Sequence, residues 1–228
     1  MSDLVAERFP ALADPLAAIA AGHVLVDGFP VRNPDSRVSR SASIVVRTPQ
    51  PLAGEAKLRA ALAAFAPPIA DRIAIDIGAA AGGFTRVLLE AGARRVYAVD
   101  AGHGQLLGSL RQDPRVENLE RTNLGALSRA LVPDVVDVLT IDVSYLALAD
   151  ALPQLEVLAF APGARLVALV KPMFELGLDA PPDDARLHEA LARAVNAIDT
   201  LAWTVVGAMP SPVTGHRGAK ELLVTARR

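Results

Sequence analysis

The sequence predicts an α/β fold: an open, mostly parallel sheet of seven strands with the last strand antiparallel, preceded by a small α+β appendage. Three observations point there. Short apolar runs alternate with helix-length stretches from residue 73 to residue 201, the pattern that builds parallel sheets. A glycine-rich turn follows the first run, in Arg72-Ile73-Ala74-Ile75-Asp76-Ile77-Gly78-Ala79-Ala80-Ala81-Gly82-Gly83-Phe84-Thr85. Residues 1–50 have another character, with an alanine-rich helix and two short apolar runs around Asp27-Gly28, the strongest short hairpin signal. Two domains are therefore expected, 1–50 and 51–228.

In chain order, the first domain predicts a helix over 13–21 capped by Gly22, a hairpin over 23–31 and a strand over 43–46. A linker, Thr48-Pro49-Gln50-Pro51, leads to a helix over 54–65 that carries Lys57 and Arg59 and stops at Pro67-Pro68. Sheet strands are expected over 73–77, 95–100, 116–120, 135–142, 165–170, 205–209 and 221–226. Helices are expected over 85–91, 102–111, 125–131, 147–158 and 183–201. The last two strands read as an antiparallel pair at the sheet edge.

Composition narrows the class. A chain of 228 residues can bury one good-sized core. It has no Cys, so it carries no disulfide framework or thiolate metal site, and its four scattered histidines show no ligand spacing, so no metal is expected. The start, Met1-Ser2-Asp3-Leu4-Val5-Ala6-Glu7-Arg8, lacks the basic-then-apolar order of a signal peptide, and the cytoplasm is the expected location. No membrane span is expected, because the longest charge-free stretch, 200–216, is broken by Pro210, Pro212 and Gly215. The net charge of −2 hides two basic segments. Residues 28–59 hold six cations (Arg32, Arg37, Arg40, Arg47, Lys57, Arg59) against Asp35 and Glu55; residues 214–228 hold four (Arg217, Lys220, Arg227, Arg228) against Glu221. Folded together, they could present a nucleic-acid face.

The glycine turn is nucleotide-binding in kind, since Gly78, Gly82 and Gly83 allow a sharp bend and close backbone approach. It is neither G-x-G-x-x-G nor a P-loop, and Asp76 beside it would repel a pyrophosphate. An acid there suits S-adenosylmethionine, with its ammonium and sulfonium charges. Asp100 ends the next strand, where a carboxylate can accept from two ribose hydroxyls. Together the two acids suggest a methyltransferase. Ligands of open α/β sheets bind at the carboxyl ends of the strands, so Asp76, Asp100, Asp142 and Lys171 should converge on one crevice. Lysine can take a proton from a hydroxyl only when neutral, which a second cation favours. Lys57 is the candidate cation, Asp142 would orient Lys171, and Glu221 or Glu175 would balance Lys57.

The stretches "DIGAAAGGFTRVLLEAGARRVYAVDAGHGQLLGSLRQDPRVENLERTN", "IDVSYL" and "LVKPMFELG" resemble the TlyA (haemolysin A) family of RNA ribose methyltransferases, relatives of the FtsJ group. The resemblance covers 54–228 and, in part, 14–47. It implies a Rossmann-like methyltransferase sheet, S-adenosylmethionine as cofactor and 2′-hydroxyls of ribosomal RNA as acceptors. It implies a catalytic set of Lys57, Asp142, Lys171 and Glu221, with Lys171 as general base. Its cofactor site falls on Asp76, Gly78, Ala80, Gly82, Gly83, Phe84, Asp100, Thr122, Asn123 and Asp142. The words "AAGHVLVDGFPVRNPDSRV" resemble the second half of an alpha-L type RNA-binding domain, shortened here, and with the basic segments 28–59 and 214–228 RNA is the expected partner. Two departures stand out. Pro51-Leu52-Ala53-Gly54-Glu55-Ala56 replaces the family's Ser-Arg-Gly-Gly before the first lysine. Asp142-Val143-Ser144-Tyr145 lacks the Asp/Asn-Pro-Pro-Tyr pattern of base amino methylation, which favours an oxygen acceptor. Two other readings stay open: O-methylation of a small molecule on the same fold, and a non-catalytic RNA-binding module.

Overall fold

The computed structural model describes residues 1–47 and 51–228, so most of the expected linker lies outside the described residues. The chain divides into two compact units, Met1–Gln50 and Pro51–Arg228. In the first, helices α1 (Ser2–Arg8) and α2 (Pro15–Ala20) accompany a three-stranded antiparallel sheet of β1 (Val24–Val26), β2 (Phe29–Val31) and β3 (Ile44–Val46), ordered β2-β1-β3. Asp14 caps α2 by accepting from Ala17 N at 2.9 Å, and Pro15 fills the first helical position. Asp27 and Gly28 both have positive φ (49° and 87°), the geometry that matches a two-residue hairpin to strand twist. Helix α1 was not expected from sequence. Its seven residues bury only Val5, which packs with Ala18, Ile19 and Val24, so its apolar stripe is too short to show a repeat.

The second unit runs α3 (Ala53–Phe65), β4 (Ile73–Ile77), α4 (Gly83–Glu90), β5 (Arg95–Asp100), α5 (Gly108–Arg111), β6 (Val116–Glu120), β7 (Val136–Ile141), α6 (Leu148–Ala151), β8 (Phe160–Val170), α7 (Pro172–Glu175), α8 (Asp184–Thr200), β9 (Thr204–Pro210) and β10 (Leu222–Arg227). Its seven strands lie in the order β6-β5-β4-β7-β8-β10-β9. The first five are parallel to their neighbours, while β10 inserts antiparallel between β8 and β9. The last strand is thus antiparallel, and β9 rather than β10 forms the edge.

Strand pleating sorts the core into two layers. Ile73, Ile75 and Ile77 of β4 face one layer with Leu139, Ile141 and the α8 residues Ala190, Ala194 and Ile198. Ala74 faces the other, with Leu58 and Ala61 of α3 and Val87 and Leu88 of α4. Three expected helices are much shorter than anticipated. Of 102–111 only α5 is helical, 125–131 yields a single 3-10 turn at Leu124–Ala126, and 147–158 becomes α6 plus a 3-10 turn at Leu152–Leu155. Around 101–107 the cause is local: Asp100 accepts from Gly102 N at 2.7 Å, and Glu120 accepts from Gln105 N at 2.7 Å and Leu106 N at 3.1 Å. Side chains have taken the amides a helix would use. Among the described residues no helix is long and apolar enough to cross a membrane.

Candidate active site

Two clefts open at the carboxyl ends of the central strands. The smaller, about 330 Å³, is lined by residues including Gly78, Ala80, Asp100, Gly102, Thr122 and Tyr145. The larger, about 670 Å³, is lined by residues including Lys57, Phe84, Lys171, Phe174, His216 and Glu221. Gly78, Ala80, Asp142 and Ser144 belong to both.

The turn after β4 is built on close approach. Gly78 has φ of +85°, and a Cβ there would stand 2.5 Å from Asp142 O. Only glycine lets β4 and β7 release their chains side by side at this point. Ala80 also has positive φ, 46°, and its amide donates to Asp100 Oδ2 at 2.8 Å. With Gly102 N on Oδ1, the Asp100 carboxylate is held from both sides at the wall of the smaller cleft. The Tyr145 hydroxyl in the same wall is pushed above its usual range by partial burial and by Asp100.

Helices α3 and α4 meet through glycine. A Cβ on Gly83 would stand 2.9 Å from Gly54 Cα, and one on Gly54 would stand 2.9 Å from the Phe84 ring. Glu55 clasps the same junction, accepting from Leu52 N at 3.2 Å and from Arg86 Nη1 at 2.7 Å. Burial would raise its pKa, but the Leu52 amide and the guanidiniums of Arg59 and Arg86 hold it below the ordinary carboxylate range. This packing places Lys57, one residue past Ala56 on the same turn, at the larger cleft.

Four charged side chains then form a line. Lys57 Nζ donates to Glu221 Oε2 at 2.8 Å and lies 3.7 Å from Asp142 Oδ2. On the other side of the same carboxylate, Lys171 Nζ lies 2.5 Å from Asp142 Oδ1, an ion pair outside hydrogen-bond alignment. Lys171 Nζ donates instead to Ser144 Oγ at 2.6 Å. Two ammonium groups and two carboxylates offset one another in a site where all four side chains are at most one-fifth exposed. Such a line can hold two lysine side chains at a cleft wall without leaving a net buried charge.

The FtsJ-like methyltransferase family model matches residues 54–228. The chain belongs to that family. A Mycobacterium tuberculosis protein named 16S/23S rRNA (cytidine-2′-O)-methyltransferase TlyA is 40% identical over 219 residues, covering 92% of this chain and 81% of the relative. A solved structure named "Putative hemolysin from Streptococcus thermophilus" is 31% identical with a TM-score of 0.73, covering 99% of this chain and 87% of that one. An S-adenosylmethionine dependent methyltransferase from Mesorhizobium loti, 20% identical, shares the fold with a TM-score of 0.53 over 74% of this chain and 96% of that one.

Within this FtsJ-like unit, three residues expected at the cofactor, Asp76, Gly82 and Asn123, line neither cleft. Asp76 is fully buried, and its carboxylate accepts from Thr85 Oγ1 at 2.7 Å and Thr140 Oγ1 at 2.9 Å. It is the last residue but one of β4, and the pleat turns it into the layer under α4 rather than toward either cleft. Burial pushes its pKa up to about 6 against the hydroxyl bonds that lower it. Gly82 serves the bend: with φ of +95°, a Cβ would stand 2.2 Å from the Leu110 side chain. Asn123 precedes the Leu124–Ala126 turn and lines neither cleft, unlike its neighbour Thr122. Glu175, the rival for the fourth charged position, is buried, accepts from Leu148 N at 2.7 Å and stands apart from Lys57.

Sequence reasoning did not single out Ser144 or Tyr145 as site residues, nor Glu55 and Glu120 as anchors. Asn118 Nδ2 and the amides of Leu106, Gln105 and Gly104 lower the Glu120 pKa to about 2, against the slight effect of desolvation. Its spacing of 20 residues from Asp100, on the next strand, was the available signal. The basic segments are also less open than their composition suggests. Of their ten cations, Arg40, Lys57, Arg59, Lys220 and Arg228 each pair with a carboxylate (Glu7, Glu221, Glu90, Asp184 and Glu156).

Proposed function

We propose that the protein transfers a methyl group from S-adenosylmethionine to a 2′-hydroxyl of ribosomal RNA, with Lys171 as general base. The observation that carries this is the line Glu221, Lys57, Asp142, Lys171 at the junction of the two clefts. Its four members match the residues implied by the resemblance, and the named relative with the highest identity above methylates cytidine ribose.

The smaller cleft has the donor set for the cofactor. Asp100 is preset by two amides with lone pairs to spare for ribose hydroxyls, in the wall of a cleft that Gly78, Ala80, Thr122 and Tyr145 also line. Gly78, Ala80, Asp100, Thr122 and Tyr145 would hold it, and when bound it supplies an electrophilic methyl group on a sulfonium. Lys171 Nζ, held by Asp142 and Ser144 in the wall of the larger cleft, takes the proton of the attacking hydroxyl, an effect worth about 10²–10⁴ in rate. Lys57, fixed by Glu221, stands on the opposite side of Asp142 from Lys171 and shares that carboxylate with it. The larger cleft holds the acceptor in near-attack geometry.

The N-terminal unit, read as a shortened alpha-L type domain, contributes exposed Arg32, Arg37 and Arg47 to the RNA backbone, with the 214–228 segment as a second contact. Working on ribosomal RNA, the protein acts in the cytoplasm. The test is incubation with labelled S-adenosylmethionine and isolated small and large ribosomal subunits, each separately. Label should enter RNA of at least one subunit and map to a 2′-O-methyl nucleoside. Label in neither subunit overturns the reading, and label in a small-molecule acceptor replaces it.

A further inference from the structure

The catalytic reading leaves one buried titratable group unused. Glu175 is 2% exposed, and one of its carboxylate oxygens, Oε2, has no hydrogen-bond partner among the described residues. Burying such an oxygen is unfavourable, so stability alone does not explain a glutamate here. Its connections do. The Glu175 amide donates to Lys171 O at 2.9 Å, as does the Phe174 amide, closing the turn that begins at Lys171. Its carboxylate Oε1 accepts from Leu148 N at 2.7 Å, and Leu148 is the first residue of α6. The residue at the cap position of α6, Ala147, has no side chain that could serve that amide. Glu175 supplies the cap from another element.

One residue therefore spans the two segments that hold the proton-accepting end of the site. Through its main chain it is tied to Lys171, and through its side chain to the far end of the 142–147 loop, which carries Asp142, Ser144 and Tyr145. The near end of that loop is fixed separately, by Asp142 N donating to Ile77 O at 2.9 Å. We infer that Glu175 is a positioning residue, which sets the register of the Lys171 turn against the Ser144 loop and thereby the placement of Lys171 Nζ between Asp142 and Ser144. This rests on the reading of Lys171 as general base. Desolvation raises the Glu175 pKa, against the Leu148 amide and Arg193, with Asp150 adding to the rise. Glutamine keeps the oxygen that accepts from Leu148 N, so the bridge between the two segments survives that change.

The test compares Glu175→Ala, Glu175→Gln and Lys171→Ala in the subunit methylation assay, with cofactor affinity by calorimetry and folding by circular dichroism. Glu175→Ala should lower kcat about 10- to 100-fold while KM for the RNA and cofactor Kd stay within about threefold. Glu175→Gln should recover kcat to within about threefold of the parent. The inference is overturned if Glu175→Ala keeps the parental kcat, if its loss is confined to thermal stability and cofactor Kd, or if Glu175→Gln fails as badly as Glu175→Ala. Lys171→Ala separates the two levels. If it is inactive and Glu175→Ala is fully active, the positioning role alone fails; if Lys171→Ala methylates at the parental rate, the general-base reading fails and the positioning role with it.

Discussion

Asp76 and Asp142 sit almost side by side, on parallel strands where Asp76 is registered against Thr140, two residues before Asp142. They share residue type and sheet end, yet their surroundings are opposite. Asp76 is within β4 and points into the core, where two threonine hydroxyls are its partners. Asp142 is one residue beyond β7, where the pleat no longer directs it inward, and two lysine side chains flank it. A carboxylate among hydroxyls ties a strand to a helix; a carboxylate between two lysines orders charge at a cleft. Register within the pleat, more than residue identity, separates structural from chemical roles here.

The largest expected effect breaks the chemical side of that contrast. Lys171→Ala should reduce methyl transfer about 10²–10⁴-fold, because the proposed mechanism gives Lys171 Nζ the acceptor's proton. Cofactor affinity should stay within a few fold, since Asp100 and the glycine turn are untouched. Asp142 keeps Lys57 at 3.7 Å, so its charge is not stranded. Single-turnover rates with labelled cofactor, beside calorimetric Kd values, check this. A collapse of cofactor binding would move Lys171 to the structural side.

That distinction was only partly legible in the sequence. The five parallel strands were, because strands covered on both faces read as near-continuous apolar runs. Gly78 was legible too, since a turn between two crowded strand ends requires glycine. The pairing of Lys57 with Glu221, 164 residues apart, was one of two candidates in the sequence, with Glu175 as the rival, because spacing alone does not choose between them. For Asp76 the sequence gives nearness to the strand end but not the layer its side chain enters, and it lines neither cleft. The helix after β5 was overestimated because amides it needed at 102–106 are taken by Asp100 and Glu120, a competition between side chain and backbone that periodicity does not register. Ser144 is a single polar residue in a loop and belongs to no repeat at all.

A second break is predicted at Lys57. Its side chain and that of Glu221 are 10% and 6% exposed, so removing one partner strands a buried charge. Lys57→Met should cost about 3–5 kcal/mol, and Lys57→Met with Glu221→Leu should recover much of it while remaining inactive. Denaturant midpoints of the single and double variants measure the difference. Equal stabilities would mean that solvent reaches the pair more freely than its burial indicates.

Asp76 offers a smaller effect with a defined sign. Its folded-state pKa, about 6, lies above the ordinary 3.8, so between those values the folded protein holds a proton that the unfolded chain has released. Its contribution to stability is greatest below pH 4 and is lost as pH rises through 6. Asp76→Asn has no such proton, and its amide can still meet both threonine hydroxyls. The stability of the variant relative to the parent should therefore rise between pH 4 and pH 7, by on the order of 3 kcal/mol at most. Unfolding free energies at a series of pH values test this, and a flat difference would show that Asp76 is solvated in a way its burial excludes.

The smallest effect belongs to a third carboxylate setting, the surface. Glu156 accepts from Arg228 Nη1 at 2.9 Å and Nη2 at 3.0 Å, with both side chains about one-third exposed, and the guanidinium also lies 5.7 Å from the Trp203 ring centre and 5.3 Å from that of Phe160. Glu156→Gln removes only one charge of an accessible pair, so its cost should be under about 1 kcal/mol and should shrink further in high salt. Arg228→Ala should cost more than Glu156→Gln because the aromatic contact goes with it. Glu156→Gln should not alter methyl transfer from within this corner of the sheet. If Glu156→Gln destabilised as much as Lys57→Met, burial would no longer explain why one ion pair matters and the other does not, and the contrast drawn between core and cleft carboxylates would lose its physical basis.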